Sequence, residues 1–252
     1  MLNKSWHNVG AVILAAGKGT RLNCVDMPKV MLAIGGRPIV SYVVSTLEKM
    51  GFAPEQICLV VGYKKEVVMD YFDGRATFAV QAEQLGTAHA AFTGMKKLPS
   101  QIEQVLVMGG DDSAFYHATT LEKFIAGHLE SGASLSLLSA MVDNPGQLGR
   151  VVRRADGQIE IIEKEYLTEE QKKIKEISTG TFCFRRGWFE KIFPAMPPLR
   201  KLGEFGLPTA LAMARASGEK YKLVTLDDSM EWFGVNTPEE LAEADRRKKN
   251  DK

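Results

Sequence analysis

The chain has 252 residues, of which 45% are hydrophobic and 25% are charged, and its formal net charge is +1. This composition is typical of a globular protein, and the small net charge argues against nucleic-acid binding or adsorption to an anionic membrane. The three cysteines lack metal-ligand spacing, and no apolar run approaches the roughly 20 residues of a membrane helix. We therefore expect a cytoplasmic protein with reduced thiols.

Strands and helices are predicted to alternate over the first 145 residues. Short apolar runs predict buried strands at residues 9–14, 57–61, 77–80, 104–108 and 135–141. Helical patterns lie between them, at residues 39–51, 65–72, 87–97 and 119–131. This alternation predicts a parallel α/β sheet that binds its ligands at the carboxyl ends of the strands.

The pattern changes after about residue 145. Residues 149–154 and 158–163 flank Ala155-Asp156-Gly157 and predict a β-hairpin. The strongly charged segment 164–176 predicts a mobile or helical excursion. The remaining predicted elements are strands at 181–184 and 221–226 and helices at 188–193, 209–217 and 238 to about 247.

A glycine-rich loop follows directly on the first predicted strand. Residues 14–22 read Leu-Ala-Ala-Gly-Lys-Gly-Thr-Arg-Leu, and Pro28-Lys29 comes shortly afterwards. The two glycines let backbone N–H groups approach an anion, and Lys18, Arg21 and Lys29 supply positive charge. The loop lacks the third glycine of a dinucleotide fingerprint and the spacing of a P-loop. It therefore predicts a polyphosphate site without identifying the ligand.

This loop and several later segments resemble the sugar-phosphate nucleotidyltransferases, also called sugar-nucleotide pyrophosphorylases. The likeness continues in family order at residues 81–90 (Gln-Ala-Glu-Gln-Leu-Gly-Thr-Ala-His-Ala), 110–111, 149–150, 162–163, 179–180 and 234–236. It extends from residue 9 to about 240 and is greatest toward the uridylyltransferases that act on N-acetylglucosamine 1-phosphate. The resemblance implies a Rossmann-like α/β nucleotidyltransferase fold with a mixed, mostly parallel central sheet and a small antiparallel sugar-binding lobe.

The resemblance also implies a reaction, in which a nucleotidyl group passes from an NTP to a sugar 1-phosphate and pyrophosphate is released. Arg21 and Lys29 are the implied catalytic cations, and Asp111 and Asn236 are the implied Mg²⁺ ligands. The implied nucleotide-binding residues are Leu14, Ala15, Ala16, Gly17, Lys18, Gly19, Gln81, Gln84, Gly86 and Thr87. The implied sugar-binding residues are Gly149, Glu163, Ser178 and Thr179. Gln81 has an amide that both donates and accepts, which suits a pyrimidine edge.

The sequence departs from the family pattern on the sugar side. Glu165 stands where relatives have Lys, Ser178 replaces an Asn, and Gly109 replaces a bulkier residue, while Asp112 is an extra carboxylate. The resemblance implies N-acetylglucosamine 1-phosphate as the acceptor, although these departures leave the choice of sugar open. Gln81, Gln84, Gly86 and Thr87 resemble the UTP-dependent enzymes most, so UTP is expected ahead of CTP or dTTP.

Two motifs have a structural alternative, and the chain as a whole has an alternative function. The alternative for Thr87 is a residue that only caps a helix, and the alternative for Asp111-Asp112-Ser113 is a segment that only begins one. A catalytically silent sugar-nucleotide sensor is the alternative function, although Arg21, Lys29 and Asp111 are all present.

We expect one domain over residues 1–252. Its nucleotide-binding part covers about 9–145, its sugar-binding lobe about 146–236 and its terminal helix about 238–247. The sequence contains no hexapeptide repeat, so acetyl transfer is not expected from it. The expected partners are an NTP and a sugar 1-phosphate, without nucleic acid or membrane, and the oligomeric state stays open.

Overall fold

The computed structural model describes residues 6–22, 24–199 and 203–251. Within them the strands are β1 (Val9–Ala15), β2 (Ala33–Ile34), β3 (Arg37–Pro38), β4 (Ile57–Val61), β5 (Thr77–Val80), β6 (Gln104–Gly109), β7 (Leu135–Met141), β8 (Arg150–Arg153), β9 (Ile159–Ile162), β10 (Glu176–Arg185) and β11 (Tyr221–Thr225). The helices are α1 (Ile39–Lys49), α2 (Lys65–Tyr71), α3 (Thr87–Met95), α4 (Ala118–Ser131), α5 (Glu169–Lys172), α6 (Arg186–Ile192), α7 (Leu207–Ala216) and α8 (Pro238–Asn250).

The central sheet has the strand order β11-β7-β10-β6-β1-β4-β5. Neighbours in this row are parallel except at β10, which is antiparallel to both β6 and β7. The β8–β9 hairpin joins the same sheet because β8 pairs with β10, whereas β2 and β3 form a separate two-stranded sheet. The predicted mixed, mostly parallel sheet with an antiparallel attachment is confirmed.

The strand β1 shows how the sheet buries both of its faces. Successive side chains of a strand point to opposite faces, and Ala11 and Ile13 pack on one side while Val12 packs on the other. The first side is covered by α1, α2 and α4, and the second by α3, α6 and α7. This double cover explains the nearly continuous apolar runs in the sequence.

The strand β10 is longer than predicted and contains an irregularity. It begins at Glu176, whereas the sequence predicted a strand only from residue 181. Its pairing with β7 shifts register between Ser178 and Phe182, and Gly180 adopts φ +77°. A β-bulge leaves residues out of the strand ladder, and the residues around this one are polar. The sequence therefore shows no continuous apolar run over the first half of β10. Segment 164–176 contains a 3₁₀ turn at Lys164–Tyr166 and the short α5.

The helix α3 lies against the sheet through Gly94. A Cβ atom at this position would lie 2.5 Å from Val12 Cγ1 and 2.8 Å from Val60 Cγ2. We expect Gly94→Ala to lower the free energy of unfolding by about 1–3 kcal/mol, as overpacked cores do. Gly127→Ala in α4 is the matched control, because it meets only the flexible end of Lys222 and improves helix propensity. Urea unfolding measures both, and equal effects would contradict this packing.

A buried histidine makes the stability depend on pH. Nδ1 of His128 lies 2.8 Å from Ser136 Oγ, and Nε2 lies 3.0 Å from Gln104 Oε1. Burial, with a smaller effect of Arg185 and Lys222, lowers the pKa of His128 from 6.5 to about 4. The unfolded chain therefore binds a proton below about pH 6.5 that the folded chain takes up only near pH 4, so stability falls as the pH falls through this window.

We expect His128 to make the free energy of unfolding about 2 kcal/mol smaller at pH 5 than at pH 7. His128→Gln should remove most of this difference, because an amide does not titrate. His117→Gln, a change at an exposed ring, should keep it. Urea unfolding of the three proteins at both pH values tests this. If the free energy of unfolding of His128→Gln differed between pH 5 and pH 7 as much as that of the wild type, the assignment to His128 would be refuted.

None of the helices in the described parts of the chain is both long and apolar enough to cross a lipid bilayer.

Candidate active site

Two adjoining cavities open at the carboxyl ends of β1 and β6. The first, here called the loop cavity, has a volume of about 320 Å³ and lies against the glycine-rich loop. The second, here called the hairpin cavity, has a volume of about 370 Å³ and lies between β6, β10 and the β8–β9 hairpin. Leu14, Thr87 and Asp111 line both cavities. The crevice beside β1 is where the chain reverses direction along the sheet, which is where α/β folds bind ligands.

The side chains of Lys29 and Gln84 pack against the backbone of the glycine-rich loop and hold it in place. Gly19 adopts φ +69°, and a Cβ atom there would lie 2.7 Å from Cβ of Lys29. The loop then forms a 3₁₀ turn at Thr20–Leu22. On its other side, Nε2 of Gln84 donates to the carbonyl oxygen of Ala16 at 2.7 Å. Position 19 requires a glycine, because its left-handed backbone and its close approach to Lys29 both exclude a side chain.

Two cations converge on one amide, and one of them also pairs with a carboxylate. Nη2 of Arg21 and Nζ of Lys29 each donate to Oδ1 of Asn236 at 3.1 Å. Lys29 also forms an ion pair with Asp111, and the two side chains are 14% and 24% exposed. The cluster carries two positive charges and one negative charge, so it attracts a polyanion such as a phosphate chain.

The start of α8 fixes the position of Asn236. Oε2 of Glu240 accepts hydrogen bonds from the backbone N–H of Asn236 at 2.6 Å and of Thr237 at 3.0 Å. The hydroxyl of Thr237 accepts in return from the N–H of Glu240, which completes a capping box. The N–H of Val235 donates to the carbonyl oxygen of Asp111 at 3.1 Å. Asn236 is thus held beside Asp111 by local backbone bonds.

The predicted Mg²⁺ ligands suit that ion. The carboxylate of Asp111 and the amide oxygen of Asn236 both contact Nζ of Lys29, so two hard oxygen donors already converge on one cation. Among residues 6–22, 24–199 and 203–251, no three His, Cys, Asp or Glu side chains cluster as a metal site. Phosphate oxygens and water would therefore complete the shell, as is usual for Mg²⁺.

The segment 81–87 forms the far wall of the loop cavity. Nε2 of the buried Gln81 contacts the carbonyl oxygen of Gly86 at 3.2 Å and Nδ1 of His89 at 3.0 Å. Both amide protons are therefore used within the protein, and only Oε1 is left to contact a ligand. The predicted donor-and-acceptor role of Gln81 toward a base is reduced to an acceptor role.

The two structural alternatives are wrong. Gly86 is the N-cap of α3 with φ +99°, and the hydroxyl of Thr87 accepts a hydrogen bond from the N–H of Leu207 at 3.0 Å instead of capping the helix. Asp111 lies in a turn after β6, and the next helix, α4, begins only at Ala118.

The predicted sugar residues all line the hairpin cavity. A Cβ atom at Gly149 would lie 3.3 Å from Oε2 of Glu163, so the glycine leaves room for that carboxylate. Burial, with Glu165 nearby, raises the pKa of Glu163. Ser178 and Thr179 belong to the bulged part of β10, and the hydroxyl of Thr179 donates to the carbonyl oxygen of Leu138 at 3.0 Å. Thr179 therefore shapes the wall, and Glu163 and Ser178 offer polar groups to a ligand.

Asp112 lies next to Asp111 on the wall of the hairpin cavity. Its Oδ1 would be only 2.5 Å from a Cβ atom at position 109, so Gly109 provides the space that this carboxylate fills. Burial, together with the neighbouring charge of Asp111, raises the pKa of Asp112 well above its usual range, although Lys29 acts against this. The two departures from the family pattern at positions 109 and 112 are therefore one structural feature.

The structure brings most, but not all, of the predicted nucleotide residues to the loop cavity. Ala15 is buried in the core, and Lys18 lines a separate cavity beside Tyr63 and Lys65. Lining residues that the sequence did not predict include Val30, Ala90 and Glu204 in the loop cavity and Gln147, Leu148, Ile161, Phe182 and Trp232 in the hairpin cavity. No motif in the sequence marked Trp232.

The covered, mostly parallel sheet and its glycine-rich loop are those of a Rossmann-like α/β protein. The chain matches the model of the nucleotidyl transferase family over residues 10–250. It belongs to that family.

Curated relatives agree with this assignment. The bifunctional protein GlmU of Heliobacterium modesticaldum is 37% identical over 240 residues, which are 95% of this chain and 52% of the relative. GlmU of Streptococcus suis is 34% identical over 249 residues, 96% of this chain and 53% of the relative. The chain thus spans about half the length of the curated relatives it matches.

The fold recurs in two solved structures. One, from Bacillus anthracis, is described as a glucose-1-phosphate thymidylyltransferase in complex with sucrose; it has a TM-score of 0.77 and 18% identity and covers 96% of each chain. The other is HddC from Yersinia pseudotuberculosis, with a TM-score of 0.70 and 24% identity, covering 94% of this chain and 98% of HddC.

Proposed function

We propose that this protein transfers a nucleotidyl group from an NTP to a sugar 1-phosphate and releases pyrophosphate. The observation that supports this most directly is the junction of the two cavities at Asp111, beside Arg21 and Lys29. A triphosphate in the loop cavity and a sugar phosphate in the hairpin cavity would meet at this junction. We place the reaction in the cytoplasm, where the three free cysteines would stay reduced.

The reaction needs positioning and positive charge more than it needs a base. A phosphate oxygen of the sugar 1-phosphate attacks the α-phosphorus of the NTP, and a new P–O bond forms. The bond from that phosphorus to the oxygen bridging to the β-phosphate breaks, and pyrophosphate leaves with the electron pair. No proton moves, because the nucleophile is already an anion. Arg21 and Lys29 stabilise the charge that builds up on the phosphates.

Mg²⁺ is the proposed cofactor, held by Asp111 and Asn236 together with phosphate oxygens. When bound, it neutralises phosphate charge and fixes the orientation of the phosphates. Lys29 contacts the same two side chains, so its ammonium group lies beside the proposed metal site. From there it can turn toward a phosphate that enters the cluster.

UTP and N-acetylglucosamine 1-phosphate are the first pair to test, because the motifs resemble the uridylyltransferases most. The nucleotide side follows the family pattern well, whereas the sugar side departs from it at Gly109, Glu165 and Ser178. The resemblance therefore supports UTP more strongly than it supports the sugar.

A pyrophosphate-release assay of the purified chain with Mg²⁺ tests the proposal. The four NTPs are each combined with several sugar 1-phosphates, and reactions without the acceptor serve as blanks. Release that requires both substrates is expected for at least one pair. Binding of a sugar nucleotide without release from any pair would contradict the proposal and favour the silent sensor.

A further inference from the structure

The loop that joins β7 to β8, residues 142–149, borders open space on two sides. Gln147 and Leu148 line the hairpin cavity, and they also line a third cavity with a volume of about 510 Å³. Backbone hydrogen bonds to Lys175 and Ser178 fix the two ends of this β7–β8 loop. Because cavities replace packed neighbours along its middle, the loop needs a further contact to keep its shape.

One buried side chain supplies that contact. Arg150, the first residue of β8, is only 3% exposed. Its Nη1 donates to the carbonyl oxygen of Leu148, and its Nη2 donates to that of Gly146 at 3.3 Å. The planar guanidinium thus binds two carbonyl groups of the β7–β8 loop in one fork, and it fixes their positions relative to the start of β8.

The burial of Arg150 is costly, and its partners are few. Within the described residues, no carboxylate forms an ion pair with Arg150, and its Nε has no hydrogen-bond partner. A guanidinium stays charged, so the cost of removing that charge from water remains. The two carbonyl groups that compensate for it both belong to the β7–β8 loop, which indicates that the side chain serves the shape of this loop.

The β7–β8 loop shapes the hairpin cavity and not the loop cavity. Gln147, Leu148 and Gly149 line the hairpin cavity, where the sugar 1-phosphate is proposed to bind. None of residues 142–150 lines the described part of the loop cavity, where the NTP is proposed to bind. A shift of the β7–β8 loop would therefore disturb the acceptor and spare the nucleotide.

We propose that Arg150 is a positioning residue for the sugar 1-phosphate. By binding the carbonyl oxygens of Gly146 and Leu148, its guanidinium holds the β7–β8 loop in the conformation that forms one wall of the hairpin cavity. The inference rests on the proposed nucleotidyl transfer for the identity of the acceptor, whereas the hold on the loop is independent of the reaction.

Arg150→Met tests the inference, because it keeps an unbranched side chain but removes both donors. With the pair of substrates that is active in the pyrophosphate-release assay, the KM for the sugar 1-phosphate should rise by about 10-fold or more, since two hydrogen bonds from a charged group no longer hold the wall. The KM for the NTP should change by less than about 2-fold, and kcat at saturating acceptor by less than about 3-fold. A general loss of structure would change all three.

Two further variants make this result specific. Arg150→Lys keeps the charge but replaces the fork by a single ammonium group, so its acceptor KM should lie between those of the wild type and Arg150→Met. If Arg150→Met does not fold, as judged by thermal unfolding, Arg150→Lys is the test, with an expected rise of about 3-fold or more. Arg154→Met is the matched control, because the side chain of Arg154 is 49% exposed and pairs with Glu160, and it should leave all three constants unchanged.

Hydrogen exchange of the ligand-free protein separates this inference from the proposed function. The backbone N–H of Leu148 donates to the carbonyl oxygen of Pro145 at 3.0 Å, so its exchange reports on the shape of the loop. Exchange over residues 142–149, measured by mass spectrometry, should be faster by about 10-fold or more in Arg150→Met and unchanged in Arg154→Met.

The two measurements together decide both proposals. Faster exchange in Arg150→Met without pyrophosphate release from any pair supports the hold on the loop and contradicts the transfer. Unchanged exchange over the β7–β8 loop overturns the inference whether or not transfer occurs. Transfer by Arg150→Met with a normal acceptor KM, or with an equal rise in the KM for the NTP, also overturns the inference and leaves the transfer standing.

Discussion

Arg21→Ala is expected to lower kcat by about 100-fold or more. Arg21 and Lys29 meet at Oδ1 of Asn236, so the alanine variant loses one of the two cations at the cavity junction. Removing a preorganised group that stabilises developing charge costs about this much in other enzymes. Stability should change little, because Arg21 is an exposed residue. Pyrophosphate release at saturating substrate measures the effect.

Two further variants make this expectation specific. Arg21→Lys keeps a charge but loses the planar fork, so its kcat should lie between those of the wild type and the alanine variant. Arg246→Ala removes an exposed arginine of α8 whose partner is Glu243, and it should leave kcat unchanged. A near-normal kcat for Arg21→Ala would exclude Arg21 from charge stabilisation.

Asp111→Asn is expected to reduce turnover by at least about 100-fold and to raise the Mg²⁺ concentration that gives half-maximal activity. The substitution keeps the shape of the side chain but removes its charge, which weakens both the ion pair with Lys29 and the proposed metal site. A titration of pyrophosphate release against Mg²⁺ measures both effects in one experiment.

Asp227→Asn is the control for this titration, since the side chain of Asp227 is 93% exposed and forms an ion pair with the exposed side chain of Lys123. It should leave the Mg²⁺ dependence as it is in the wild type. If Asp111→Asn lost turnover with an unchanged Mg²⁺ dependence, Asp111 would act on Lys29 and not on the metal.

The sequence predicted the parts of the site that short segments define. β1, the loop after it and the carboxylate after β6 each follow from local apolar runs and glycines, and the structure places them where a parallel sheet requires. The alternation of elements likewise predicted the sheet, because strands buried on both faces leave a clear signal.

The contacts that join distant segments were beyond sequence reasoning. The shared hold of Arg21 and Lys29 on Asn236 depends on how α8 docks, and no local pattern encodes it. Sequence reasoning also missed contacts within one segment, because the amide of Gln81 was predicted to face a base, but the nearby Gly86 and His89 accept its protons. The first half of β10 was not predicted, because the polar residues around its bulge follow neither strand nor helix periodicity.

The capping box at the start of α8 links the formation of a helix to the assembly of the site. Glu240 satisfies the N–H groups of both Asn236 and Thr237, so fraying of the first turn of α8 also releases the amide that Arg21 and Lys29 contact. By thermodynamic linkage, a ligand that needs Asn236 in place must raise the free energy of local opening of α8. The terminal helix is in this sense a reporter of site occupancy, and its amide hydrogen exchange should slow when substrates bind.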